Sequence, residues 1–181
     1  MDKPIKRSEQ KAEYTWDTSH IFPSDEAWLA AYSSLESEIE KTVGFSGKLG
    51  SSAKKLYEFL LFDEKLSIEL NKVYSYAMLK SDEDKGNSKY ADYYGRAVSL
   101  YTKYGEKIAF ARPEIVAIPD EVLERFYAEL PELSEFKLCI DRIRRMKAHT
   151  LSPAEEALLA AAGELANAPD NIASQFRNAD L

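Results

Sequence analysis

The sequence predicts an all-α protein: a helical bundle built around a long antiparallel helix hairpin, with shorter helices towards the C-terminus. Apolar residues recur every three or four positions along most of the chain, which is the period of one helical face. Residues that favour helix starts precede several of these segments, and no alternating run is long enough for a convincing strand. No repeat-protein period is present. We therefore expect one helical domain over residues 1–181.

The first predicted helix follows two irregular segments. Residues 1–13 are polar and charged and are expected to form a flexible arm, whereas residues 14–23 mix aromatic and turn-forming residues and predict an anchored loop. Ser24 can cap the helix, and Asp25 and Glu26 suit the positive end of its dipole. The buried face is predicted to comprise Trp28, Tyr32, Leu35 and Ile39.

Two long helices should follow and complete a region of long helices over residues 24–111. Ser51 or Ser52 begins the first, which is expected to run to about Leu79 and to be roughly 42 Å long. The polar run at residues 81–87 predicts a short turn, and short turns place helices antiparallel.

The next helix is predicted from about Ser88 to Ala111, with Pro113 as its stop. Shorter helices are expected over residues 119–181, the first two beginning at Pro119 and Pro131. The inward face of the helix after residue 88 is predicted to comprise Tyr94, Val98, Tyr101, Gly105 and Ile108.

The junction before the last helices carries strong local signals. Ser152 is placed as the N-cap, Pro153 at the first helical position and Glu155 at the third, which is the spacing of a capping box. We expect this helix to reach about Ala166 and Pro169 to open a final segment.

Composition excludes several functional classes. Hydrophobic residues make up 45% and charged residues 30%, which is ordinary for a globular protein, and the net charge is −7. That charge argues against a nucleic-acid partner or an anionic membrane surface. The single cysteine, Cys139, excludes an internal disulfide and suits a reducing compartment. With no signal peptide or membrane-spanning run, the sequence predicts a cytoplasmic protein.

Two blocks of sequence carry a family resemblance. The first is Tyr14–Trp28, and the second is Met146–Ala160, which lies ahead of Phe176–Leu181. Both resemble the N-terminal region of oligoendopeptidase F, a member of the thimet-type zinc peptidases. The resemblance implies helical elements that wall a deep channel over a zinc site, with access for short peptides and exclusion of folded proteins.

The chain offers no residue to which the family's chemistry can be assigned. A zinc peptidase of this type needs two histidines one helical turn apart, with a glutamate beside the first. The histidines here, His20 and His149, are far apart, and no His-Glu-x-x-His motif occurs. We assign no catalytic or metal residue, leave substrate-binding residues unassigned, and expect this chain to be inactive by itself.

The resemblance implies that zinc belongs to a catalytic domain of the same polypeptide, so residues 119–181 are expected to lead towards that domain. The last residues still have the character of structured sequence, which suggests a piece of a larger peptidase. Its implied partners are that domain and short peptide substrates.

Several polar residues have two interpretations each. His20 with Asp17 would supply metal ligands, or a hydrogen bond within the loop. His149 would contact substrate, or bond a carbonyl at a helix end. Cys139 would act as a nucleophile, or remain an unreactive thiol.

The tyrosines have two interpretations. Eight of the eleven lie between Tyr57 and Tyr104. Tyr90 and Tyr93 fall partly off the predicted inward face, where they would either line a groove for peptide or pack within the helix pair. A basic set would bind an anion or pair with neighbours such as Glu135 and Asp141. That set comprises Lys137, Arg142, Arg144, Arg145 and Lys147.

Two functions remain open from the sequence. The first is the non-catalytic N-terminal domain of a zinc oligoendopeptidase that walls or gates a substrate channel. The second is a free-standing helical interaction module without enzymatic activity, which would dock partners on its aromatic-rich hairpin.

Overall fold

The computed structural model describes residues 10–147 and 151–177, and the regular structure in this part of the chain is helical, without strands. The predicted all-α class is confirmed. Short 3₁₀ segments precede the first α-helix at Ala12–Tyr14 and Thr18–His20, and others lie between α-helices at Thr42–Phe45 and Pro131–Phe136. The α-helices are α1 (Asp25–Lys41), α2 (Ala53–Glu83), α3 (Ser88–Ile108), α4 (Ala111–Ala117), α5 (Asp120–Glu129), α6 (Lys137–Arg145), α7 (Pro153–Ala161) and α8 (Gly163–Gln175).

Three of these helices begin directly after a serine whose side chain caps them. The hydroxyl of Ser24 accepts the amide of Ala27 at 3.2 Å, so α1 starts where the sequence predicts. Of the two candidate serines before α2, Ser52 is the cap and accepts the amide of Lys55. Ser152 forms the complete capping box of α7. These caps satisfy amides that have no partner within the helix.

The long helix α2 continues further than predicted. Its 31 residues correspond to about 46 Å and include residues 81–83, which the sequence places in the turn. Ser81 is buried and Lys80 pairs with Glu83, so this polar stretch has reasons to stay helical. The turn before α3 is confined to residues 84–87.

Helix α3 ends earlier than predicted, at Ile108, and a separate short helix follows. Pro113 does not stop α3; it is the third residue of α4. An amide in the first turn of a helix has no intrahelical acceptor, so proline costs no hydrogen bond there.

The C-terminal helices also divide differently. Helix α7 ends at Ala161 rather than Ala166, and α8 begins at Gly163. Pro169 opens no new segment but lies inside α8. Proline removes one backbone hydrogen bond from a helix, and this residue is exposed on its surface.

Helices α2 and α3 run antiparallel. The hydroxyl groups of Tyr74 and Tyr94 are 3.1 Å apart, and Tyr104 donates to Asp63 at 2.6 Å. The earlier residue of α2, Asp63, pairs with the later residue of α3, Tyr104, and the later residue of α2, Tyr74, pairs with the earlier residue of α3, Tyr94. The two helices therefore run in opposite directions.

Two apolar clusters form the core, and α2 contributes to both. The first joins α1, α2 and α3, and its buried members include Trp28, Leu35, Ile39, Leu70, Val73, Tyr93, Ala97 and Leu100. The second joins α2 to the shorter helices, and its buried members include Leu49, Leu56, Phe59, Ile115, Leu123, Phe126, Leu133 and Ile140. The predicted face of α1 is confirmed, since all four of its residues are buried.

The segment before α1 is only partly packed. Ile21 and Phe22 lie against the first cluster, with the ring of Phe22 edge-on to Tyr76 at 5.6 Å. Tyr14 and Trp16 expose most of their side chains. No helix in the described residues is long and apolar enough to cross a membrane.

Candidate functional site

The residues with metal or nucleophile interpretations are scattered. His20 and Asp17 are exposed, with Nε2 and Oδ2 3.6 Å apart. His149 lies outside the described residues. Partial burial raises the pKa of the Cys139 thiol, and nearby Asp63 raises it further, so less of the reactive thiolate is present. Within the described ranges, no group of three or more His, Cys, Asp or Glu side chains could hold a metal ion.

The basic set does not converge on one site. Arg144 donates to the backbone carbonyls of Ile115 and Ile118 and to the carboxylate of Asp120. It therefore ties α6 to the α4–α5 connection, and its carboxylate partner is neither of the neighbours suggested by the sequence. Lys137 lies over the ring of Tyr127 at 5.4 Å.

Tyr90 and Tyr93, for which the sequence leaves a groove or packing within the helix pair open, belong to the packed part of the protein. The ring of Tyr93 is buried and stacks on Trp28, with centroids 4.3 Å apart. Tyr90 and Tyr76 both donate to the carboxylate of Asp25.

Asp25 is the ionic centre of that packed region. Burial opposes its ionisation, but the hydrogen bonds from Lys89 and the two tyrosines outweigh burial and lower the pKa of the carboxyl. The ammonium of Lys89 is 2.6 Å from it. These contacts stabilise the start of α1 against α2 and α3 and leave little room for a ligand.

The open groove lies on the other side of α3. Tyr74, Tyr94 and Tyr101 line a cavity of about 660 Å³ between the α2–α3 pair and helices α7 and α8. The sequence assigns Tyr94 and Tyr101 to the packed face. Tyr94 does pack partly against the first core cluster, but both residues also line this groove. The polar members of the lining are Asn71, Thr102, Asn167, Asp170 and Asn171.

The tyrosine rings of this groove contact one another. Tyr74 meets Tyr94 and Tyr101 edge to face, with centroids 5.7 and 5.6 Å apart. Burial, the hydrogen bond with Tyr94 and the charge of Asp82 raise the pKa of Tyr74 to about 12. The phenol is therefore neutral at physiological pH.

A second cavity of about 450 Å³ adjoins the first, and Gly105 and Ala160 line both. Its walls are mainly apolar, apart from Asp63 and Arg112. Burial raises the pKa of the Asp63 carboxyl despite the hydrogen bond from Tyr104.

Helices α7 and α8 expose apolar side chains beside these cavities. We call this surface the C-terminal apolar face. Its members are Leu158, Leu159, Leu165, Ile172 and Phe176, each more than half exposed. Exposed apolar side chains concentrated on adjacent helices are typical of a surface that another protein region covers.

Comparisons with known proteins show that this chain is similar to a family of bacterial oligopeptidases. A family model described as Oligopeptidase F matches residues 114–181. Oligopeptidase PepF of Bacillus subtilis is 40% identical over 97% of this chain and 26% of its own length. Group B oligopeptidase PepB of Streptococcus agalactiae is 34% identical over 97% of this chain and 29% of its own length.

Solved structures agree with these relatives. The crystal structure of oligoendopeptidase-F from Enterococcus faecium matches with a TM-score of 0.82 and 32% identity, over 87% of this chain and 30% of that one. A putative peptidase from Chlamydophila abortus shares the fold, with a TM-score of 0.71 and 22% identity, over 94% of this chain and 29% of that one. The chain thus spans less than a third of the length of each relative.

The fold and these matches define an all-helical N-terminal region of larger peptidase-type proteins. The chain belongs to the oligoendopeptidase F family, as the two sequence blocks indicate, and corresponds to the N-terminal region of that protein.

Proposed function

We propose that this chain is the non-catalytic N-terminal domain of a zinc-dependent oligoendopeptidase that hydrolyses short peptides, and that it walls or gates the substrate channel. The C-terminal apolar face carries the proposal. Leu165 is 80% exposed, Leu158 71% and Ile172 69%. Such a face is costly in water and suits permanent cover by a catalytic domain of the same polypeptide.

The chemistry would then reside in that catalytic domain. The family implies zinc, but the described residues of this chain do not fit it, because they contain no group of three potential ligands. The contribution of this domain would be to position peptides and to limit access.

The positions of the cavities support the channel role. Helices α7 and α8 supply one wall of the tyrosine-lined groove, through residues such as Ala160 and Asp170. The same helices carry the C-terminal apolar face. A domain docked on that face would therefore border the groove, and a peptide in the groove would lie near the boundary between the two.

One experiment tests the docking. Leu165→Asp and Ile172→Asp, made in the complete gene product, should lower its melting temperature and its peptidase activity. In the isolated 181 residues the same changes should leave the melting temperature nearly unchanged, because both side chains are already in water. Ile68→Asp is the matched control, since Ile68 is half exposed on α2 and belongs neither to the C-terminal apolar face nor to the lining of the two cavities. Equal effects of all three changes in the complete protein would contradict the proposal.

The alternative, a free-standing interaction module, is favoured by the same exposed face if no further domain covers it. An immunoblot of an extract from the source organism separates the two. A band several times larger than 20.5 kDa supports the peptidase, and a band at 20.5 kDa supports the module.

A further inference from the structure

We propose that the tyrosine-lined groove binds the basic side chain, lysine or arginine, of an extended peptide. This inference rests on the proposed function and deepens it, because it names a class of peptide and the residues that recognise it. Three features of the groove support it: its aromatic rings, its charge and its amide side chains.

The aromatic feature is the cluster around Tyr74. An ammonium or guanidinium group is attracted to the face of an aromatic ring within about 6 Å of the centroid. The cluster already accepts one such contact, because Lys85 Nζ lies 5.9 Å from the centroid of Tyr94. Tyr101 is 40% exposed, so part of its side chain is accessible from solvent.

The charge of the groove selects cations. Of the described residues that line it, only Asp170 has a charged side chain, and the ammonium of nearby Lys85 is paired with Asp82. A carboxylate beside aromatic rings complements a basic side chain and repels an anion. Phosphate groups and acidic peptides are disfavoured for that reason.

The amide side chains suit a peptide backbone. Asn167 and Asn171 each offer donors and an acceptor, which can pair with backbone carbonyls and amides. Asn71 donates one hydrogen bond to the Ser67 carbonyl, and its side-chain oxygen can accept from a backbone amide. The volume of about 660 Å³ is in the range of small-molecule sites and admits one long side chain with its adjoining backbone. This polar lining also distinguishes the groove from the C-terminal apolar face.

The test is a binding measurement on the complete gene product. The probe is an N-terminally dye-labelled octapeptide whose backbone nitrogens are methylated except at the tested residue and its two neighbours, and anisotropy reports binding. The methyl groups slow hydrolysis, and the amides beside the tested side chain can still donate hydrogen bonds. One version carries a single lysine and the other carries norleucine, which keeps the alkyl chain without the charge. We expect the lysine peptide to bind more tightly to the wild type. Unmodified peptides of the same sequences report hydrolysis separately.

Two variants address the groove. Asp170→Asn and Tyr101→Leu should each raise the Kd of the lysine peptide about threefold or more and leave that of the norleucine peptide nearly unchanged. Asp92→Asn is the matched control, because Asp92 is exposed on α3 and does not line the groove. It should change neither Kd.

The outcomes separate this inference from the proposed function. Equal affinity of the wild type for both peptides overturns the groove assignment. The assignment is also overturned if both groove variants have a lower melting temperature and lose affinity equally for the two peptides. The groove would then hold part of the protein itself. Unlabelled peptides can also compete with the probe. If a peptide with a free amino terminus and no lysine displaces it, and a peptide with a blocked terminus and an internal lysine does not, the side-chain assignment is overturned. Lysine-dependent binding without hydrolysis of any unmodified peptide sustains the groove and contradicts the peptidase function.

Discussion

The indole Nε1 of Trp28 donates a hydrogen bond of 2.8 Å to the backbone carbonyl of Val73, and both residues are fully buried. The bond joins α1 to the middle of α2. Tyr93 of α3 stacks on the same indole with an interplanar angle of 9°, so three helices meet at one side chain. Trp28 fixes how α1 lies on the α2–α3 pair.

Trp28→Phe should lower the free energy of unfolding of the 181-residue chain by about 2–4 kcal/mol, because it removes the buried hydrogen bond and leaves a cavity. Urea unfolding followed by circular dichroism measures this. Trp16→Phe is the matched control, since Trp16 is 82% exposed, and it should change stability by less than about 0.5 kcal/mol. Equal losses for the two variants would contradict the role of Trp28.

Asp63 should make stability depend on pH. Burial raises the pKa of its carboxyl in the folded state above the unfolded value of about 3.9. Below the unfolded pKa the group is neutral in both states. As pH rises through the folded pKa, the folded state must ionise a partly buried carboxyl, so stability falls.

Asp63→Asn removes that ionisation and keeps an oxygen to accept the hydrogen bond from Tyr104. We expect its stability advantage over the wild type to appear as pH rises above about 4 and to level off above the folded pKa. Urea unfolding at a series of pH values checks this. Asp92→Asn should show no such trend, and parallel curves for wild type and Asp63→Asn would refute the prediction.

The starts of helices were readable because their signals are local. Ser24, Ser52 and Ser152 each cap a helix through an amide three positions ahead, a relationship fixed by short sequence spacing. The ends of α3 and α7 were not predicted correctly from the sequence. Residues 108–111 carry no strong stop signal, whereas Gly163 stands directly after the C-cap of α7 and the sequence prediction passed over it. The prolines at 113 and 169 lie within helices because of where those helices begin.

The fully buried stripe of α3 differs from the predicted one for a similar reason. Tyr93, Ala97 and Leu100 follow one stripe with helical spacing, whereas Tyr94, Val98 and Tyr101 follow the adjacent stripe with the same spacing. Both stripes contain aromatic and aliphatic residues, so periodicity alone cannot rank them. The tertiary contact of Tyr93 with Trp28 buries the first stripe and leaves the second beside α8.

Arg144 should be sensitive to replacement by lysine. Its guanidinium bonds two backbone carbonyls and a carboxylate at once, which one ammonium group cannot reproduce in the same geometry. Arg144→Lys is expected to cost about 1–2 kcal/mol of unfolding free energy, measured by urea denaturation. Arg145→Lys, at an exposed position of the same helix, should be nearly neutral. A loss of the same size at Arg145 would refute the special role of Arg144.

Ser152→Ala should loosen α7 without unfolding the core. The backbone amide of Ser152 donates to the Glu155 carboxylate at 2.9 Å, and the Ser152 hydroxyl accepts the Glu155 amide. Loss of the cap should cost about 1 kcal/mol and speed amide exchange in α7, with little change in α2.

Ser52→Ala removes an equivalent cap from α2 and provides the comparison. Because α2 contributes to both core clusters, its first turn is anchored by buried residues such as Ala53 and Leu56, and the cost should register in global unfolding. Helix α7 has no fully buried side chain among its described residues, so its loss should remain local. If Ser152→Ala lowered the global unfolding midpoint as much as Ser52→Ala, α7 would be an integral part of the core. A local effect would instead agree with a helix that depends on a docked partner for its stability.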